Sequence, residues 1–262
     1  MQKVTRQQIA AGMRQVGLTP GDNVLIHSAV QYLGYPEGGV GIYLEVIQDM
    51  LVDGTIAVPT FNFDFARGQA YDPSESPSQS MGAFSEFIRK LPESRRTLQP
   101  MQSLAFLGPL AADLASRDTP SAFDPGSAFE GMLDFGFKLL LLGADIQSVS
   151  MVHYCEQRSG VPYRYWKDFS GSVRVRDGAN ADASGWQIRT YRMFVRDLEL
   201  NPQLQMSPIQ ALLVDRGQWS ETHLNYGLIR ACRLADFVKA ADDLLAADPW
   251  ALIENPPQNR HV

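Results

Sequence analysis

Along the first 145 residues the apolar positions switch between two periods. From Thr5 to Val16, Ile9, Met13 and Val16 fall on one helical face, and Gly17 closes the segment. GDNVLIHS then carries a short apolar run, a strand over Val24 to His27. Beyond the Gly38-Gly39 break, Ile42, Val46, Ile47 and Met50 recur at helical spacing up to Leu51. Asp53-Gly54 turns the chain into a second strand, TIAVP, ended by Pro59. Phe84, Phe87, Ile88 and Leu91 share a face of a helix over Gly82 to Leu91. SLAFLG (Ser103 to Gly108) is a third strand, Pro109 stands in the first turn of the next helix, and FKLLLLG (Phe137 to Gly143) is a fourth strand. None of the four strands alternates in polarity, so both sheet faces must be covered. That predicts a three-layer α/β/α fold with a mostly parallel or mixed central sheet.

Two stretches break this rhythm. Asn62 to Ser80 is polar and aperiodic, a long loop of the kind that is functional or disordered. From about Val161 the segments SGSVRVRDG, GWQIRTYRMFV and GQWSETHL read as a smaller antiparallel β-rich annex over roughly residues 161–230. Helices over Pro208 to Val214 and Leu234 to Ala247 follow, and the tail ENPPQNRHV is expected to fray. With no internal repeat and no flexible linker, 1–262 reads as a single domain carrying that annex.

Composition narrows the function classes. The 262 residues are 45% apolar and 20% charged, with 23 basic and 29 acidic side chains and a net charge of −6. A protein that coats nucleic acid or anionic membrane needs the opposite sign. No apolar run approaches the roughly 18 residues of a membrane span, and MQKVTRQQIAAGMRQVG lacks the apolar core of a signal peptide. Cys155 and Cys232 are the two cysteines, too few for a disulfide framework or a cysteine-rich zinc site. The expectation is a soluble cytoplasmic protein.

The four histidines carry most of the candidate chemistry. His261 lies in the tail, and His223 reads as a surface or packing residue. His27 ends the first strand, where α/β sheets border their ligand crevice. His153 lies in SVSMVHYCEQRSG, and Glu156 follows three residues later, on the same helical face. A carboxylate so placed orients an imidazole and stabilises its protonated form, the minimum for a general base. Cys155 points about 200° away from His153 on that helix, a poor nucleophile pair. A zinc hydrolase built from His27, His153 and Glu156 with Asp64 or Asp72 is the alternative, although no H-E-x-x-H or H-x-H spacing occurs. The P-loop pattern is absent, and Gly38 to Gly41 before a helix is a weak anion signal.

LIHSAVQYLGYPEGG, DGTIAVPTFNF, YDPSESPSQSMGAFSEFIRK, RRTLQPMQSLAFLG, DPGSAF, KLLLLGA and SMVHYCEQ, in that order over residues 17–158, resemble the aminoglycoside 3-N-acetyltransferase family. The resemblance implies an acetyl-CoA-dependent enzyme without a metal, in which His153 is the general base and Glu156 its partner. It implies further that His27, Ser28, Ala29 and Val30 line the coenzyme cleft, with Thr60 and Ser103 as further contacts. Gly82 and Glu86 read as structural, a glycine at a helix start and a carboxylate in its first turn.

The departures bear on substrate. Where the family shows Arg-Ser-x-His-Pro-x-His-Ser, this chain has Arg96-Thr97-Leu98-Gln99-Pro100-Met101-Gln102-Ser103. Glutamine keeps hydrogen bonding and loses protonation. VPYRYWKDFSG adds Arg164, Lys167 and the aromatics Tyr163, Tyr165 and Trp166 beside the base, suited to a sugar ring and a phosphate. Asp64, Arg96, Gln99 and Arg164 are therefore the expected substrate contacts. The substrate expectation is a nucleotide- or lipid-linked amino sugar of surface polysaccharide, with an aminoglycoside antibiotic as the alternative. A homodimer is left open.

Overall fold

The computed structural model describes residues 2–175 and 185–257. The N-terminal half runs β1 (Lys3–Val4), α1 (Arg6–Gln15), β2 (Val24–Ser28), β3 (Tyr35–Pro36), α2 (Gly41–Leu51), β4 (Ile56–Pro59), α3 (Gly82–Arg89), β5 (Arg95–Arg96) and β6 (Leu104–Leu107). There follow α4 (Ala111–Ser116), α5 (Ala128–Asp134), β7 (Lys138–Leu142), α6 (Val152–Ser159), β8 (Arg164–Arg174), β9 (Trp186–Arg196), α7 (Ser207–Asp215), β10 (Ser220–Leu224), β11 (Gly227–Arg233) and α8 (Leu234–Ala247).

Seven strands form the central sheet in the order β10-β11-β7-β2-β4-β6-β5. β2 lies in its middle, parallel to β4 and β7, while the other pairings are antiparallel. The sheet is therefore mixed. Successive side chains on a strand point to opposite faces, and here both sets are buried. Leu25, Leu139 and Leu141 pack under one layer with residues of α4 to α8. Val24, Ile26, Leu140 and Leu142 pack under the other with residues of α1, α2 and α3. This is the three-layer arrangement that the unbroken apolar strands require.

Three expectations change. GQWSETHL does not join the annex. It supplies β10, which with β11 extends the central sheet beyond β7, because Ile229 and Ala231 of β11 complete the apolar face shared with α1. The annex is the β8–β9 hairpin, a separate two-stranded sheet, and the tip of the SGSVRVRDG segment lies outside the described residues. The long Asn62 to Ser80 loop is folded down: Tyr71 is fully buried, and its backbone bonds to Ser172 and Arg174 of β8. Phe65, Tyr71, Met101, Val173 and Tyr191 make a small core of their own between loop and hairpin. Glu86 does not sit in the first turn of α3. Its carboxylate accepts from Ser78 and from both Nε and Nη2 of Arg89, contacts that hold its pKa down at about 2.

Among the described residues, no helix is long and apolar enough to cross a membrane.

Candidate active site

α6 carries the sharpest chemistry. It starts just past β7, one of the two parallel neighbours of β2, and Gly160 ends it in a left-handed turn. Nδ1 of His153 lies 2.6 Å from Oε2 of Glu156. The glutamate is fully buried, while the histidine side chain keeps 29% of its surface. A carboxylate only accepts, so Nδ1 carries the proton, and Nε2 is left as a lone-pair base with no partner among the described residues. The ring of Phe123 flanks the imidazole at 6.2 Å.

A cation reaches the same carboxylate. Nη2 of Arg164, at the start of β8, is 2.9 Å from Oε2 of Glu156 and 3.2 Å from Nδ1 of His153. Arginine and a protonated Nδ1 are both donors, so the second distance is a contact between two groups that share one acceptor. Burial alone pushes the Glu156 carboxyl up; the hydrogen bonds and charges of His153 and Arg164 outweigh it and hold the group below the usual carboxylate range.

β2 delivers the neighbouring residues. His27 is buried, and its Nε2 accepts from the backbone and hydroxyl of Ser150, each at 3.4 Å. Desolvation lowers its pKa from 6.5 to about 3, so it stays neutral and ties β2 to the segment that enters α6, where His153 N donates to Ser150 O. Ser28, Ala29 and Val30 are half-buried at the carboxyl end of the strand. The backbone at Gly82, where α3 begins, comes so close that an added Cβ would sit 3.0 Å from Ser28 O, and its φ of 84° also favours glycine. The Ser28 hydroxyl is buried there without a partner.

Of the other expected contacts, Thr60, Ser103 and Gln99 are buried, while Asp64 stays partly exposed. Thr60 and Ser103 are fully buried, and Ser103 Oγ donates to Thr60 O at 2.7 Å. Arg96 closes this cluster: Nε reaches Thr60 Oγ1 at 3.0 Å and Ser103 Oγ at 3.2 Å, Nη1 reaches Ser76 O at 2.5 Å, and Nη2 donates to Thr60 O. Gln99 and Gln102 are buried as well, with Gln99 Oε1 accepting from Gln102 N across the Pro100-Met101 turn. Asp64 is paired with Arg67 at 2.8 Å, and Asp72 with Arg174 at 2.9 Å. The hydrolase set is thus dispersed, and no group of three or more metal-ligating acids, histidines or cysteines is gathered among the described residues.

Residues 25–246 match the family model described as aminoglycoside 3-N-acetyltransferase. The chain belongs to that family. Aminoglycoside N(3)-acetyltransferase III from Salmonella sp is 28% identical over 193 residues, 66% of this chain and 68% of that protein. Among solved structures, AAC-IIIb in binary complex with CoASH superposes with a TM-score of 0.80 at 20% identity, covering 98% of this chain and all of the other. AAC-VIa bound to sisomicin gives 0.80 at 20% identity, covering 94% and 98%.

As a family member the protein is an N-acetyltransferase, and the substrate expectation built on the sequence loses its support. Arg164 is neutralised by Glu156 and donates through Nη1 to Phe194 O at 3.1 Å, so it does not present its charge to a diphosphate. Lys167 lies over the Phe169 ring. Sequence reasoning missed Ser150 and the contact of Arg164 with Glu156; a serine three residues before a helical histidine carries no distinctive pattern, and an arginine among aromatics reads as a ligand contact.

Proposed function

We propose that this chain transfers the acetyl group of acetyl-CoA to an amino group of an aminoglycoside. The observation that carries the reading is the His153–Glu156 pair: a partly exposed imidazole whose Nδ1 is held by a buried carboxylate and whose Nε2 has no partner among the described residues. His153 takes the proton that the substrate nitrogen loses as it forms its bond to the acyl carbon; the carbon–sulfur bond then breaks, and CoA leaves as the thiol with that proton. Glu156 keeps the ring in the tautomer that can accept it and stabilises the charge that results. No covalent enzyme intermediate is needed, because an amine is itself the nucleophile. Acetyl-CoA, when bound, supplies the activated thioester. The unpartnered Ser28 hydroxyl and the half-buried Ala29 and Val30, at the strand end beside the start of α3, fit a role in holding it. His27, Thr60 and Ser103 act from beneath that surface.

The aminoglycoside is favoured over a nucleotide- or lipid-linked sugar for two reasons. The relatives are named for acetylating aminoglycosides, and one neighbour of the same fold binds sisomicin. The cation expected to meet a phosphate is occupied inside the protein. The test compares kcat/KM for sisomicin and for a nucleotide-linked amino sugar with one preparation, following CoA release. Sisomicin should win by at least about tenfold. A preference for the nucleotide sugar overturns the assignment. No rise in Tm at millimolar acetyl-CoA would count against the coenzyme itself.

A further inference from the structure

Glu156 is arranged differently from a carboxylate whose sole task is to hold a histidine. Its Oε2 is shared by Nδ1 of His153 and Nη2 of Arg164, while Oε1 makes no hydrogen bond among the described residues. We propose that Arg164 is a positioning residue for the acetyl-transfer reaction, one that tempers the hold of Glu156 on the protonated His153. The proposal rests on His153 being the base.

A fully buried carboxylate 2.6 Å from an imidazole stabilises the imidazolium strongly, because little water screens the pair. A base held too firmly in its protonated form has no lone pair for the incoming amine. Arg164 opposes this twice: it draws on the same oxygen, and its permanent charge lies 3.2 Å from the ring nitrogen. The guanidinium is itself fixed across two elements, with Nη2 on Glu156 and Nη1 on the Phe194 carbonyl of β9. A planar fork can span both acceptors, which an ammonium cannot.

The surrounding groups leave these two charges in control. From the hairpin side Tyr163 is buried, and burial with the Glu156 charge pushes its phenol up. On α6 the Cys155 thiol is raised first by burial, so it too is neutral. Farther along α6, Arg158 pairs with Asp242 of α8 at 3.4 Å. The turn before α5 contributes the Phe123 ring.

The experiment follows the His153 ring by nitrogen-detected NMR titration of the ligand-free protein, beside the acidic limb of kcat/KM against pH. Arg164→Met should move both upward by about one unit, with the activity lost near neutrality returning as pH is raised. Glu156→Gln should move both downward. Arg164→Lys should keep the midpoint near that of the wild type while lowering kcat/KM. Should Arg164→Met fail to fold, the Glu156→Gln/Arg164→Met double variant, which removes both buried charges, replaces it, and its midpoint should lie above that of Glu156→Gln alone. An unchanged or lowered midpoint on losing Arg164, in whichever pair is compared, overturns the proposal. Wild-type turnover by His153→Ala would overturn the base assignment instead, and the titration would not register it.

Discussion

His27→Gln should make the fold less sensitive to acid. The imidazole is 4% exposed and accepts from Ser150 through Nε2, so the folded state holds it neutral with a pKa lowered by burial from 6.5 to about 3. In the unfolded chain the ring returns to water and titrates near its ordinary value. Between those two values the unfolded state binds more protons, so stability rises with pH across the window. The contribution is complete above about pH 6.5 and is lost progressively as pH falls toward 3. At about pH 5 the unfolded state gains roughly RT ln(1 + 10^1.5), about 2 kcal/mol relative to about pH 7.5. Against a net stability of about 5–15 kcal/mol that is a large share.

Glutamine reaches about as far as Nε2, can accept from Ser150 and does not titrate. Urea unfolding of both proteins at about pH 7.5 and about pH 5 gives the comparison, with the wild type losing about 2 kcal/mol more than the variant. Any packing cost of the substitution cancels, because each protein is compared with itself, and the other titrating groups are common to both. Equal losses in the two proteins would refute the reasoning.

His153→Ala should lower kcat by roughly 10² to 10⁴ while the rise in Tm caused by acetyl-CoA stays as in the wild type; steady-state kinetics beside thermal shift checks it, and undiminished turnover removes the residue from the chemistry. Arg96→Met should cost about 1–3 kcal/mol, because it strips donors from Thr60, Ser103 and the Ser76 carbonyl at once. Denaturant unfolding reads that cost, and a loss under about 1 kcal/mol would mean that the cluster does not need its cation.

What the sequence made legible follows from how local each signal is. The four core strands are written as unbroken apolar runs, and the facing layers follow from that fact alone. His153 and Glu156 are three residues apart on one helix, so their contact is decided within a single turn. β11 was harder to see because Arg230 and Arg233 interrupt its apolar alternation, and its burial is decided by β7, some 90 residues earlier in the chain. The loop before α3 looked unstructured because its anchor, Tyr71, is buried only against a hairpin formed about 100 residues later. Arg164 follows the same logic: an arginine beside aromatics suits a ligand surface, and only the fold reveals that its acceptors are Glu156 and the Phe194 carbonyl.

The pairing of Glu156 with Arg164 is hard to account for by stability. Replacing a buried ion pair by well-packed apolar residues is often neutral or stabilising, since desolvation offsets most of the attraction. The geometry is accounted for once the imidazole is included: the oxygen that bears the contacts is the one facing His153 Nδ1, and both donors converge on it. Departures from the best local arrangement of this kind concentrate at functional sites. β8 and β9 thus do more than cover the long loop, because they bring to a helix of the α/β layers the one charge that its base and carboxylate do not supply.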